Sequence, residues 1–493
     1  MPRTDPDTRA LNQRLFAGGV APFYLAILAV TILVGISAVM VVSASSGEAV
    51  LREATATGGT SATQSAFAEG KNNLAFIIVG ALVACVISRL DYRRFASWSF
   101  PILLVLIGLL VYLVISGVAI GGAKRWIQIG NFSLQPSELV KPVLLMFTAY
   151  VLALFSESQE VKELGGRRAT TFLSIPAVLI GITLLTIILQ PDLGTTSIIV
   201  FGLLIVYIMS GFGLRFLTFL LPIGLGLYLF RAFAFGTYQA QRIQSLLRGL
   251  LHGEYSHQVT QSMYALGSGG ILGVGLGLSR QKYFYLPEAQ NDFILAIIGE
   301  EMGLVGTLMV VGAFACLMWA GYAITLGARD RLGRVLSAGA TTILIVQAII
   351  NMVAVVGIGP VTGKPLPFVT LGGSAMLSSF ILLGLILSVA RNGGEIREGY
   401  GDHRSLFTVC ADAIMGAVDG YVGARPPKEA PSQAKMKTTS KKKTKTKTKS
   451  KTKTKVPSER DSECERSGGD EDEGDIEWRW DRGTRLSGTR SGR

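Results

Sequence analysis

The chain carries ten long apolar runs, at about 23–44, 73–90, 99–118, 138–155, 172–189, 194–210, 214–233, 292–325, 335–357 and 373–391. A run of roughly 20 apolar residues crosses the hydrocarbon core as a helix, because each backbone polar group must find its partner inside the segment. Membrane strands would instead alternate with a period of two, and that alternation is absent. The expected fold is therefore an all-α polytopic membrane protein of about ten transmembrane helices. Composition agrees: 49% of the 493 residues are hydrophobic and 16% are charged, where a soluble domain carries about 25% charged residues. The first run is too long for a signal-peptide core and reads as an uncleaved span.

Cytoplasmic loops hold an excess of Lys and Arg. With the N-terminus inside, the inner loops carry Arg89, Arg93 and Arg94, then Lys162, Arg167 and Arg168, then Arg215, then Arg329, Arg331 and Arg334. This arrangement divides the chain into a cytoplasmic N-terminus (1–22), a ten-helix membrane domain (23–391) and a cytoplasmic tail (392–493). A large extracytoplasmic loop, 234–291, joins helices 7 and 8. Shorter outer segments, 119–137 and 358–372, are candidates for function because long ordered loops often carry it.

The tail changes character abruptly. Residues 435–455 hold eleven lysines and no acid, and an acidic stretch, GDEDEGDIE, follows. Such blocks bury no core and are expected to be disordered. Anionic lipid or an acidic protein suits the lysine run, as does a solvated tether. Nucleic acid does not, for want of a reading module. Residues 405–422 have a weak amphipathic pattern. Three scattered histidines and four cysteines make neither a metal site nor a redox motif.

Ionisable residues in or beside membrane spans are costly and so mark candidate sites. The densest group is LPEAQNDFILAIIGEEMG, Leu286 to Gly303. Glu288 and Asp292 are four apart and share a face if that stretch is helical. Asp292 stands where the long loop meets the eighth span, placed either to act as a base of raised pKa or to cap the helix. Glu300 and Glu301 lie deeper and read as structural, paired to cations or backbone. Lys141 sits inside the fourth span and needs an anion, which is either Glu138 three residues away or a bound phosphate. Arg242, Lys124 and Arg125 are further cations able to surround a pyrophosphate. The glycines from Gly267 to Gly277 have no Walker lysine and no preceding strand, so close packing or a re-entrant segment explains them better than a nucleotide loop.

Five segments carry a family resemblance: GGAKRWIQIGNFSLQPSELVK (121–141), QPDLGT (190–195), YQAQRIQSLL with QVTQS (238–247, 258–262), GVGLGLSRQKYFYLPEAQNDFILAIIGEEMG (273–303) and GPVTGKPLPFVTLGGS (359–374). Across about residues 20–391 the chain resembles the SEDS polymerases (shape, elongation, division and sporulation), most nearly their cell-division branch, FtsW. The resemblance implies a peptidoglycan glycosyltransferase that polymerises lipid II through β-1,4 links and releases undecaprenyl pyrophosphate. It implies Asp292 as general base, and Lys141 and Arg242, with Lys124 and Arg125, as pyrophosphate ligands. Glu288, Gln258, Gln261 and Ser262 fall in its substrate-binding segments, and Glu138, Glu300, Pro367, Gly372 and Gly373 in supporting ones.

The same resemblance implies a class B penicillin-binding transpeptidase and divisome proteins as partners. It places the protein in the bacterial inner membrane at the division septum, with both termini cytoplasmic. No cofactor is certain; a divalent cation, Mg or Mn, would share the pyrophosphate charge, but no metal ligand set is visible. Three places depart from the usual pattern, one of them RGLLHGEYSH (248–257), which replaces Asp-Pro-rich residues common in the long loop. Asn291 stands where a Thr is usual before the Asp, and Thr370-Leu371-Gly372-Gly373-Ser374-Ala375 replaces Ser-Tyr-Gly-Gly-Ser-Ser. The rival readings are a lipid II flippase, which suits ten spans and buried charge, and a scaffold that recruits the transpeptidase. No internal repeat of the transporter kind is visible.

Overall fold

The computed structural model describes residues 21–55, 62–117, 125–129, 132–157, 166–210, 238–283 and 285–392. The helices are α1 (Ala21–Thr55), α2 (Ala62–Arg89), α3 (Tyr92–Ser116), α4 (Pro136–Glu157), α5 (Gly166–Leu189) and α6 (Leu193–Met209). They continue with α7 (Tyr238–His252), α8 (His257–Ser268), α9 (Ile294–Gly327), α10 (Arg331–Val355) and α11 (Gly373–Asn392). Nine of the ten apolar runs fall on α1–α6 and α9–α11. The seventh run, 214–233, lies outside the described residues, as do residues 405–422, the lysine run and the acidic stretch. Among the described residues, seven helices are long and apolar enough to cross a membrane; the apolar parts of α5 and α6 are shorter.

Two features depart from a purely helical reading. A hairpin, β1 (Ile127–Ile129) and β2 (Phe132–Leu134), precedes α4, with Gln128 opposite Ser133. Its alternation of apolar and polar residues around a Gly-Asn pair is a hairpin signal, too short to register beside the apolar runs. The long outer loop is also not plain connection: it contains α7 and α8, whose apolar residues are too sparse to resemble spans.

Three helices form the centre. Most of α4, α10 and α11 is buried, whereas α2, α3 and α9 leave much of their apolar surface open. Leu74, Ile78, Leu82, Val105 and Ile115 are among the exposed side chains, as lipid-facing positions should be. At one end of the bundle α2, α3, α10 and α11 are tied together. Tyr92 and Arg93 reach Asp330, which caps α10, and Ser388 donates to the Leu90 carbonyl. The hairpin, the start of α4 and the loop before α11 lie at the other end.

Helix α9 is broken at Gly303, where φ is 68° and ψ is −160°. Before the break, Phe293 through Glu301 are buried on every side, as a segment apolar all round requires. The break frees backbone groups, and the glycine-rich stretch satisfies them. Val274 and Gly275 donate to the Glu300 and Glu301 carbonyls, and Leu304 and Val305 donate to Gly270 and Ile271. A Cβ on Gly303 would lie 2.3 Å from the Gly273 nitrogen, so the two chains meet only because both residues lack one. The carboxylates of Glu300 and Glu301 take N–H donors from Gly277, Ser279 and Arg280, and Glu301 also pairs with Lys282 at 3.1 Å and with Ser43 of α1.

Gly303→Ala is expected to destabilise the fold by about 2 kcal/mol or more, through strain and backbone collision. Gly312→Ala, with nothing within 4 Å of its added Cβ, is the matched control in a thermal unfolding series.

Candidate active site

Pro136 opens α4, where its missing N–H costs nothing. The first turn then places Glu138 and Lys141 on one face. Their charged atoms are 2.6 Å apart, and Lys141 Nζ also donates to Gln347 Oε1 of α10. On the neighbouring chain, Asp192 caps α6 by accepting from the Thr195 N–H and hydroxyl. The same carboxylate accepts from Gln135 Nε2, Ser137 Oγ and Lys364 Nζ, the last at 2.9 Å. Lys364 comes from the loop before α11 and also reaches Glu138, 3.3 Å away.

Two cations and two anions thus form one neutral chain, Lys141–Glu138–Lys364–Asp192, with each residue 3% exposed or less. Burial alone would raise the pKa of Asp192. Lys364 and Arg125 overcome it and hold the carboxyl well below the usual carboxylate range. Burial opposes the charge of Lys364 too, but Asp192 and Glu138 hold its ammonium above the ordinary lysine value.

Asp292 lies beside this network, in a turn ahead of α9. Its backbone carbonyl accepts from Asn351 Nδ2 of α10 at 2.7 Å. A Cβ on Gly363 would stand 3.4 Å from Asp292 Oδ2 and 3.7 Å from a terminal nitrogen of Arg242, so the carboxylate and the guanidinium flank that glycine. Arg242, on α7, donates to the Val361 carbonyl of the same loop. Burial first, and the Glu288 charge second, push Asp292 up to about 6, while Lys364 and Arg242 pull the other way. A carboxylate poised there is ionised at neutral pH and still has useful proton affinity.

The structure brings Asp292, Arg242 and Glu288 together and redistributes the other expected residues. Residues 287–293 form turns, so Glu288 and Asp292 do not share a helical face. Neither caps α9, which begins at Ile294 after Phe293. Glu288 is exposed, has φ 56° and accepts from Asn291 Nδ2. Lys141, expected to face pyrophosphate, is 2% exposed, and its ammonium is engaged by Glu138 and Gln347.

Arg125 likewise donates to the Gln190 and Pro191 carbonyls, where it braces the turn that carries Asp192. Lys124 lies outside the described residues. Ser262 is buried and donates to the Val355 carbonyl of α10, joining the two helices. Gln258 and Gln261 are half-buried on α8. Pro367 occupies a tight turn closed by Val369 N–H to the Leu366 carbonyl, with Phe368 at φ 62° packed edge-on against Phe380. Gly372 donates to Thr370, and Gly373 starts α11 against the ring of Phe76.

Asp192, Lys364, Gln347 and Asn351 are the site residues that sequence reasoning passed over. Each left a faint signal: an acid wedged between two apolar runs, a single cation in a Pro-Gly loop, and two amides one turn apart inside a span. Two of the departures from the family pattern are neighbours here, since Thr370 Oγ1 donates to Asn291 Oδ1 at 3.4 Å. Among the described residues no three His, Cys, Asp or Glu side chains converge as a metal cage.

Apolar helices that gather neutralised charges and one carboxylate of raised pKa at one end make a multi-span membrane protein with an enzyme-like site. The chain belongs to the FtsW, RodA and SpoVE family of cell cycle proteins, whose family model matches residues 24–394. Stage V sporulation protein E of Bacillus subtilis is 36% identical over 327 residues, which cover 65% of this chain and 86% of that protein. The probable peptidoglycan glycosyltransferase FtsW of Trichlorobacter lovleyi is 34% identical over 330 residues, 65% of this chain and 83% of that one. The fold is shared with the rod shape determining protein RodA of Thermus thermophilus, with a TM-score of 0.52, 23% identity and coverage of 75% and 97%. It is shared also with a chain of a peptidoglycan synthase complex, with a TM-score of 0.55, 23% identity and coverage of 74% and 96%.

Removing one charge from the network strands another in the interior, which costs about 3–5 kcal/mol. Asp192→Asn and Lys364→Met should each lower thermal stability markedly. The double variant, in which the charges balance again, should lose less than the sum of the two, and a double-mutant cycle of unfolding temperatures measures that difference.

Proposed function

We propose that the protein is a peptidoglycan glycosyltransferase that polymerises lipid II on the outer face of the bacterial cytoplasmic membrane, with Asp292 as general base. The observation that carries this reading is the placement of Asp292: a carboxylate with a pKa of about 6, flanked by Arg242, at one end of a membrane bundle. Relatives named as probable peptidoglycan glycosyltransferases support the substrate class.

In the proposed step the 4-hydroxyl oxygen of the acceptor GlcNAc bonds to the anomeric carbon of the donor MurNAc. The bond from that carbon to undecaprenyl pyrophosphate breaks, and the pyrophosphate leaves with the electron pair. The hydroxyl proton passes to Asp292. Arg242 stabilises the charge that develops on the leaving group, and Lys364 adds positive potential from within its ion pairs. A divalent cation arriving on the pyrophosphate would screen the same charge, and EDTA treatment with Mg or Mn add-back measures its share.

Orientation follows from charge. Arg89, Arg93, Arg94, Arg329, Arg331, Arg334 and Arg391 sit at the ends of helices on the side away from Asp292. The positive-inside rule makes that side cytoplasmic, which puts both termini inside and the site outside. The same proposal gives the protein a role in division at the septum, with a class B penicillin-binding transpeptidase and divisome proteins as partners; a structural relative from a synthase complex that coordinates polymerization and crosslinking supports the transpeptidase. The lysine run suits anionic lipid or an acidic protein.

Purified protein, alone and with its transpeptidase, should extend labelled lipid II into long glycan, and Asp292→Ala should not. The wild-type rate should climb through about pH 6 as the base ionises. Polymer from a folded Asp292→Ala variant would remove that residue from the chemistry. No polymer from wild type in either form would favour flipping or scaffolding, to be separated by a lipid II flipping assay.

Stability gives a second readout. The folded chain holds the Asp292 proton more tightly than the unfolded chain does, so ionisation at neutral pH costs stability. Asp292→Asn should therefore raise the unfolding temperature by an amount that grows from about pH 4, where the unfolded carboxyl begins to ionise, to its full value above about pH 6, and leave it unchanged below about pH 4, where both states are protonated.

A further inference from the structure

Helix α10 presents two buried amides, Gln347 and Asn351, one turn apart on a face that meets two separate chain segments. Gln347 donates to the Pro365 carbonyl at 2.9 Å and accepts from Lys141. Asn351 donates one N–H to the Lys364 carbonyl at 2.9 Å and the other to the Asp292 carbonyl at 2.7 Å. We propose that Asn351 is a positioning residue that sets the distance between Asp292 and the cation-bearing loop 358–372.

The Asp292 turn and the Lys364 loop are 72 positions apart in sequence, taken as 364 minus 292, and one planar amide binds a carbonyl from each. Both donors of that amide are thereby used, and its Oδ1 is buried with no donor among the described residues. Apolar packing would suit this place inside a span better than a half-satisfied amide, so the two carbonyl contacts are what the Asn supplies. The loop it holds also carries Val361, to which Arg242 is bonded, and Gly363, which separates Arg242 from the Asp292 carboxylate. Glu288 and Asp192 act on Asp292 from the negative side, Arg242 and Lys364 from the positive side. If the amide is lost, the Asp292 turn is released from the loop, its carboxylate moves away from Arg242 and Lys364, and Glu288, on the same turn, stays with it and acts less opposed.

The catalytic half of this inference rests on the glycosyltransferase reading; the structural half does not. The test uses full-length protein with Asn351→Leu, of similar size and without donors, and Asn351→Ser, which keeps one. Amide hydrogen exchange at 290–293 and 361–364 is expected to quicken about tenfold in Asn351→Leu and less in Asn351→Ser. Displacement of the base should lower kcat about 100-fold with little change in KM for lipid II. The acid limb of the pH–rate profile should move up by about one unit, because loss of nearby cations raises a carboxyl pKa and the base must be ionised to act.

A folded Asn351→Leu with wild-type exchange and a wild-type acid limb would overturn the proposal, even if kcat fell. Should that variant not fold, Asn351→Ser decides by the same two readouts. Should wild type itself make no polymer, the activity reading falls, and the exchange rates alone decide whether Asn351 holds the two segments together.

Discussion

Four charges that have left water must neutralise one another before anything else at this site can be arranged. Glu138, Lys141, Asp192 and Lys364 do so in one chain of contacts between 2.6 and 3.3 Å. The chain ties α4, the start of α6 and the loop before α11 into one frame. Asp292 depends on that frame, because the loop that carries Lys364 also carries the backbone to which Arg242 is bonded. An isolated buried ion would cost several kcal/mol; the closed network removes most of that and makes the geometry hard to deform. Function at Asp292 is thus built on charges that never touch substrate.

The broken helix α9 is the second constraint. Its buried half places the Asp292 turn at the centre of the bundle, not on its flank, and the break is possible only because glycine-rich chain fills the gap. The polar residues below, Glu300, Glu301 and Lys282, fasten that chain in place. The result is a carboxylate whose backbone carbonyl is held by Asn351 and whose side chain faces Arg242 across Gly363.

The spans were legible because membrane helices announce themselves through length and apolarity, which are local properties. Asp292 and Arg242 were legible from motif and from position at the end of a loop. The hairpin and the helices of the outer loop were less so, since short amphipathic elements leave little signal beside long apolar runs. The network was hidden for a different reason: Lys364 meets Asp192 across 172 positions and Glu138 across 226, and no spacing rule reaches that far. Lys141 illustrates the cost. Its need for an anion was clear from its place in a span, but whether the anion was substrate or Glu138 was a question of tertiary packing.

The claim at the centre of this account is that Asp292 ionises near neutrality because of where the fold puts it. Infrared difference spectroscopy across a pH titration, with Asp292→Asn subtracted from wild type, reads that carboxyl directly. A protonated carboxyl band that disappears with a midpoint at about pH 6 is expected. A carboxylate already ionised at the ordinary value for an exposed aspartate would contradict it.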